Sequence, residues 1–232
     1  FKGVKLLPPG SVLTISARER SPRIERYWDY DFTEGSGEEG QLAEELDHLF
    51  QQAVSRQLVS DVDVASYLSG GIDSGSVTAI AARQLPYLRT FTVGFDLHSA
   101  SGLELGHDER AEAEHMSYLF KTEHYEMVLK AGDMERCMRR LVWHLEEPRV
   151  GQSYPNFYAA QLASKFVKVV LAGSGGDELF GGYPWRYYRA VVNDDFEHYI
   201  DKYYQFWQRL VPNAVQKRLF APITAETKDV WT

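Results

Sequence analysis

Two glycine-bearing runs hold the residues best suited to chemistry. The first is Ser69-Gly70-Gly71-Ile72-Asp73-Ser74. Paired glycines reach backbone conformations closed to other residues, which lets successive N–H groups approach an anion closely. Ser69 and Ser74 offer hydroxyl donors, and Asp73 offers a hard oxygen ligand suited to magnesium carried by a nucleotide. Together these residues describe a pyrophosphate cradle. The Gly-Lys-Ser/Thr ending of a Walker A loop is missing, so a site that holds a γ-phosphate for transfer is not supported. The second run is Gly173-Ser174-Gly175-Gly176-Asp177-Glu178-Leu179-Phe180-Gly181-Gly182-Tyr183, with five glycines and two adjacent carboxylates. If the two runs meet, Asp73 and Asp177 can share one magnesium ion. The bland alternatives are a plain turn with Asp73 as helix cap, and a glycine loop without a ligand.

Loops of this kind work only where something rigid presents them. Residues 62–68 form a β-rich run that stops at Ser69, and residues 74–84 favour a helix with Val77, Ile80 and Ala81 inward. Further strands are predicted at 88–95, 124–129 and 166–172, and helices at 108–121, 134–145 and 155–165. In the helix at 108–121, Ala113, Met116, Leu119 and Phe120 form the apolar face. Strands alternating with helices imply parallel βαβ units, and strands that are apolar throughout imply a sheet covered on both faces. The fold class is therefore α/β, doubly wound, with a mainly parallel sheet and helices on both faces. Such sheets bind ligands beyond the carboxyl ends of their strands, where both glycine runs fall. Upstream, Pro8-Pro9-Gly10 is a turn signal before strand-like residues 11–16. From Gln41 the apolar stripe Leu42, Leu46, Leu49, Phe50, Ala53 and Val54 reads as an amphipathic helix docked on the core. From Trp185 onward the chain is aromatic-rich and reads as helical, its aromatics packing a core rather than stacking on bases.

Composition narrows the function. A formal net charge of -8 disfavours a nucleic-acid partner, which needs clustered Lys and Arg to displace counterions. No apolar run approaches the ~20 residues of a membrane span, so no membrane partner is expected and cytoplasmic location is the default. The single cysteine, Cys137, cannot form an internal disulfide or a multi-cysteine zinc site, and it reads as a small core residue. The seven histidines lack zinc-ligand spacing, and Ser74 lacks the Gly-x-Ser-x-Gly elbow of a serine hydrolase. The adjacent carboxylates Glu146 and Glu147 read first as a solvated face.

The run SGGIDS, the strand FTVGF, Asp108-Glu109-Arg110-Ala111, Glu146-Glu147-Pro148 and GGDELFGGY occur in an order that resembles the synthetase domain of glutamine-hydrolysing asparagine synthetases, within the PP-loop (N-type) ATP pyrophosphatases. The opening FKGVKLLPPGSVL with RYWDY is similar to the end of that family's glutaminase domain. The resemblance implies a remnant of an upstream glutaminase domain at 1–32, a linker at 33–40 and an ATP-binding synthetase domain at 41–232, truncated at its C-terminus. It implies an adenine nucleotide alpha hydrolase-like sheet. ATP would be held by Leu68, Ser69, Gly70, Gly71, Asp73, Ser74, Val93, Ala172 and Gly173, and Mg2+ by Asp73 and Asp177. The substrates implied are ATP, an amino-acid carboxylate and ammonia from a glutaminase domain; oligomeric state is open, a homo-oligomer among the alternatives. Where the family reads Ser-Gly-Glu-Gly or Ser-Gly-Asp-Gly, this chain has Ala172-Gly173-Ser174-Gly175. That departure makes Ser174, with Glu147, a candidate near the acyl site, and keeps a β-lactam or macrocycle-forming relative, or a non-catalytic nucleotide-binding module, as alternatives to asparagine formation. The family's substrate-binding lysine lies further downstream than Thr232, so the chain taken alone is expected to bind ATP without turnover.

Overall fold

A computed structural model describes residues 3–18, 20–31, 33, 35–99, 106–146, 153–183, 198 and 215. The chain divides into two units, Phe1–Leu49 and Phe50–Thr232.

The first unit contains a hairpin of β1 (Ser11–Ile15) and β2 (Pro22–Arg26), antiparallel with Ser11 opposite Arg26 and Ile15 opposite Pro22. Gly10 starts it in the left-handed region at φ 63°. Its carbonyl accepts the N–H groups of Tyr27 and Trp28 at 2.8 and 3.2 Å. A Cβ at Gly10 would overlap the Trp28 carbonyl, so both its conformation and the close approach require glycine.

Helix α1 (Glu39–Gln57) begins in the first unit and ends in the second. Within the second unit, its C-terminal part docks as the stripe predicts: Phe50 and Val54 pack on Ile80, Ala81 and Leu88.

The second unit is built on four strands, β3 (Val64–Tyr67), β4 (Arg89–Phe95), β5 (Glu123–Leu129) and β6 (Val169–Leu171), in the order β5-β4-β3-β6 with every pairing parallel. The central strands are buried along both faces, and in β4 the faces alternate buried Thr90 and Thr92 with Phe91. Edge strand β5 carries Glu123, His124 and Glu126 and is only half buried. Strand β6 is three residues long where 166–172 was expected, because residues 164–166 still turn off the preceding helix.

The helices are α2 (Ile72–Gln84), α3 (Arg110–Phe120), α4 (Asp133–Leu145), α5 (Ser153–Ala163) and the short α6 (Gly176–Phe180). The chain moves outward through β3-α2-β4-α3-β5, then returns through α4 and α5 to β6 on the other side of β3. Right-handed crossovers in these opposite directions put α2 and α3 on one face and α5, backed by α4, on the other. Two core clusters follow. Val54, Ile80, Ala81 and Leu88 lie under α2, and Ala65, Phe91, Ala163 and Val167 lie under α5. The sheet is therefore parallel with helices on both faces. In α3 Ala113 and Ser117 are buried with Met116 and Phe120 half-buried beside them, whereas Leu119, expected inward, falls off that stripe and is exposed.

Candidate functional site

Strand β3 ends at Tyr67, and Leu68 beneath the loop is 2% exposed. Its N–H donates to the Phe91 carbonyl at 3.0 Å, and its own carbonyl accepts the Thr92 hydroxyl. The chain then turns through Ser69-Gly70-Gly71 directly into α2, which starts at Ile72, two residues before the predicted start. Helix α2 is capped at Gly71 without any side-chain hydrogen bond. Its first turn thus presents N–H donors and the positive end of the helix dipole toward the sheet's carboxyl edge.

The loop residues act differently from the expectation in two respects. Gly71 is extended (φ −79°), and neither Gly70 nor Gly71 is left-handed. Close packing is what requires glycine here, since a Cβ at Gly70 would lie 2.7 Å from the Cβ of Glu112 in α3. The two serine hydroxyls brace the loop itself. Ser69 Oγ and Ser74 Oγ are 2.8 Å apart, the Ser69 N–H donates to Ser74 Oγ at 3.0 Å, and the Gly71 N–H donates to Ser69 Oγ at 3.1 Å. The remaining loop donor, the Gly70 N–H, is met by Glu109 Oε2 at 3.1 Å.

The second glycine run leaves β6 through exposed Ala172 and lies against the first in direct contact, closer than two loops facing across a crevice. The Asp177 N–H donates to Asp73 Oδ2 at 3.1 Å, linking residues far apart in the chain. A Cβ at Gly173 would sit 2.6 Å from the Ser74 nitrogen, and one at Gly176 would overlap the Asp73 carboxylate. Gly175 and Gly181 bracket α6 at φ 106° and 67°, so the left-handed glycines belong to this loop. Ser174 is exposed on the loop. Val93 is half-buried within β4, opposite Met127. Glu147 lies outside the described residues.

Asp73 and Asp177 thus come together as expected, but among the described residues no group of three His, Cys, Asp or Glu side chains is placed to hold a metal. A two-carboxylate set suits magnesium that keeps water and phosphate oxygens in its remaining positions. Gly176 keeps the space beside the Asp73 carboxylate free of any side chain. The residues present therefore fit a nucleotide-borne ion better than a resident one.

Two further residues, Tyr183 and Glu109, lie beside these loops. Tyr183 donates its hydroxyl to Glu178 Oε1 at 3.2 Å. Burial first, then hydrogen bonding to Asp177 and Glu178, pushes that phenol up to about 12. Its signal was its place at the end of the second run. Glu109 is fixed by what flanks it. Arg110 grips Asp108 through Nε and Nη2 at 2.9 and 2.8 Å and also donates to the Phe95 carbonyl at 3.0 Å. The Arg110 guanidinium holds the Asp108 carboxyl below its ordinary range. A Cβ at Gly94 would strike this fork, which explains the glycine inside β4. Cys137 is buried, and burial pushes its thiol up, away from reactivity. Among the described residues no helix is long and apolar enough to cross a membrane.

A parallel α/β sheet with two glycine loops joined at its carboxyl edge defines the class of open α/β domain whose functional loops lie beyond the strand ends. The particular family follows from comparison: the model described as asparagine synthase matches residues 45–232, and the chain belongs to that family. A putative glutamine-hydrolyzing asparagine synthetase from Mycobacterium bovis is 34% identical over 186 residues, covering 78% of this chain and 28% of the relative. Glutamine-hydrolyzing asparagine synthetase 3 from Bacillus subtilis is 33% identical over 213 residues, covering 84% of this chain and 33% of the relative. The chain therefore spans about a third or less of the length of these relatives. Among solved structures, an NMN synthetase from Francisella tularensis aligns with a TM-score of 0.38 at 13% identity, covering 64% of this chain and 59% of that one.

Proposed function

We propose that this chain supplies the ATP-using part of a carbon–nitrogen ligase that activates a carboxylate as its acyl-adenylate, releases pyrophosphate and then forms an amide, with asparagine made from aspartate as the reaction. One observation carries this reading: the Asp177 N–H on Asp73 Oδ2, which puts two glycine loops and two carboxylates beside the uncapped start of α2. The substrate carboxylate attacks the α-phosphorus, the bond to the bridging oxygen of pyrophosphate breaks, and ammonia then attacks the acyl carbon with AMP as leaving group. The α2 N–H groups bind the departing phosphates, and their dipole stabilises charge that grows as pyrophosphate leaves. Asp73 and Asp177 would hold Mg2+, whose charge offsets that of the polyphosphate. Leu68, Val93, Ala172 and Gly173 bound the adenosine side, while Ser69, Gly70, Gly71 and Ser74 shape the cradle. In this reading residues 1–32 close an upstream glutaminase domain that delivers ammonia, 33–40 are a linker and 41–232 belong to the synthetase domain.

A second reading is favoured by one residue. Ser174 replaces the acidic side chain that the asparagine-forming pattern carries at this position, which suits a relative that closes a β-lactam or macrocyclic amide. ATP–pyrophosphate exchange in the full-length protein separates the two readings, with exchange on aspartate supporting the first and exchange only on another acid supporting the second. Asp73→Ala and Asp177→Ala are each expected to lower exchange by about a thousandfold. Exchange that persists in both variants would sink the assignment of these carboxylates.

A further inference from the structure

The Glu109 carboxylate sits where an anion should. Its Oε2 accepts the Gly70 N–H at 3.1 Å, and Gly70 belongs to the loop that leads into the uncapped start of α2. The other two loop donors are already satisfied within the loop by Ser74 and Ser69 hydroxyls. Glu109 therefore takes the one loop N–H that the loop does not satisfy itself. Its backbone cannot drift away, because Arg110 ties the start of α3 to Asp108 and to the Phe95 carbonyl, and Glu112 one turn on packs against Gly70. The side chain is nevertheless solvent-exposed, and a water-exposed hydrogen bond of this kind is readily exchanged.

We propose that Glu109, which holds the Gly70 N–H, is a carboxylate that polyphosphate must displace from the loop and that thereby selects magnesium-complexed over metal-free polyphosphate. This rests on the nucleotide reading of the site. A carboxylate beside the cradle repels a bare polyphosphate at short range, and repulsion falls once the bound cation cancels much of the ligand's charge. Glu112 adds a second negative charge on the same rim. Selection therefore comes from an opposing charge placed next to the donors, in addition to the carboxylates that would hold the ion.

The test measures binding of inorganic pyrophosphate, with and without Mg2+, to the full-length protein by calorimetry, using Glu109→Gln and Glu109→Ala beside Asp73→Asn. Glu109→Gln keeps an acceptor for the Gly70 N–H but loses the charge, and Glu109→Ala loses both. Metal-free pyrophosphate is expected to bind about fivefold tighter to the Gln variant and about tenfold tighter to the Ala variant, with less than about twofold change when Mg2+ is present. Melting temperature serves as the check on folding, since Glu109 makes no side-chain cap to α3. Unchanged or weaker metal-free binding in both folded variants overturns the proposal, and so does tightening of equal size with and without Mg2+. If Asp73→Asn weakens binding with Mg2+ while the Glu109 variants do nothing, only the role of Glu109 falls. If Mg2+ and Asp73 are both without effect, the nucleotide reading falls and this inference with it.

Discussion

At the start of β4 and β5, Thr90, Thr122, Ser117 and His124 hydrogen-bond one another, each link about 2.9 Å long, and Arg89 pairs with Glu123 and Asp63. At the other end of the same sheet, the polar groups beyond β3 and β6 are held in place but left with capacity to spare. The first turn of α2 has no side-chain cap, Asp73 and Asp177 stand side by side, and glycines keep the space next to them clear. Both ends hold hydroxyl and carboxylate groups. At the first, the Thr90, Ser117 and Thr122 hydroxyls bond one another inside the fold, which yields stability; at the second, the first turn of α2 keeps backbone donors that no side chain caps.

Among changes that probe this contrast, closing the open end is expected to act most strongly. Gly176→Ala places a Cβ against the Asp73 carboxylate and must push it aside. Displacing a reacting group by about 1 Å costs on the order of a hundredfold in rate. Pyrophosphate exchange in the full-length protein is expected to drop by about that factor, with melting temperature little changed because the loop contributes few buried contacts. A variant that loses stability but keeps its exchange rate would break the contrast between the two ends.

A smaller effect, on the other measurable, is expected at the satisfied end. Thr90→Val removes a fully buried hydroxyl that serves both Thr122 Oγ1 and His124 Nδ1 at 2.9 Å. Leaving buried partners short of a hydrogen bond costs about 1–3 kcal/mol, readable as a lower midpoint in denaturant unfolding. Exchange per folded molecule should stay at the parent value. If activity falls in step with Gly176→Ala, the two ends are coupled and the comparison loses its meaning.

How far this contrast could be read in advance depends on whether a feature is local. The alternation of strands and helices, both glycine runs and the closeness of Asp73 to Asp177 follow from periodicity, turn chemistry and the rule that parallel sheets present ligands at their carboxyl edge. The role of Gly70 and Gly71 differs from the expectation, because a glycine needed for positive φ and one needed for close packing look alike in sequence. Gly70 answers to Glu112 and Gly176 to Asp73, partners distant along the chain. Glu109 was visible only as part of a resemblance, since its contact with Gly70 spans 39 positions. The bonded Thr90–Thr122–His124 group likewise needs three separate segments and carries no local signature.

The smallest effect sharpens the same comparison through pH. His124 lies at the satisfied end, with Nδ1 on the Thr90 hydroxyl and Nε2 3.4 Å from Glu126 Oε1, within ion-pair range although not hydrogen-bonded. Burial is the larger influence and moves its pKa below the ordinary imidazole value, while the attraction of Glu126 and Glu114 opposes the shift without reversing it. The folded chain thus binds fewer protons at this position than the unfolded chain once pH drops below about 6.5. Stability contributed by neutral His124 is present above that pH and is lost as pH falls toward the lowered folded value, with a slope of at most about 1.4 kcal/mol per pH unit for one proton. Melting temperatures of the parent and of His124→Gln, taken at pH 7.5 and 5.5, isolate this contribution, because every other titrating group is shared. The parent should lose more stability across that interval than the variant. An equal loss in both would mean that the imidazole accepts its proton without disturbing the Thr90 bond, and that His124 adds no pH-dependent stability at this end of the sheet.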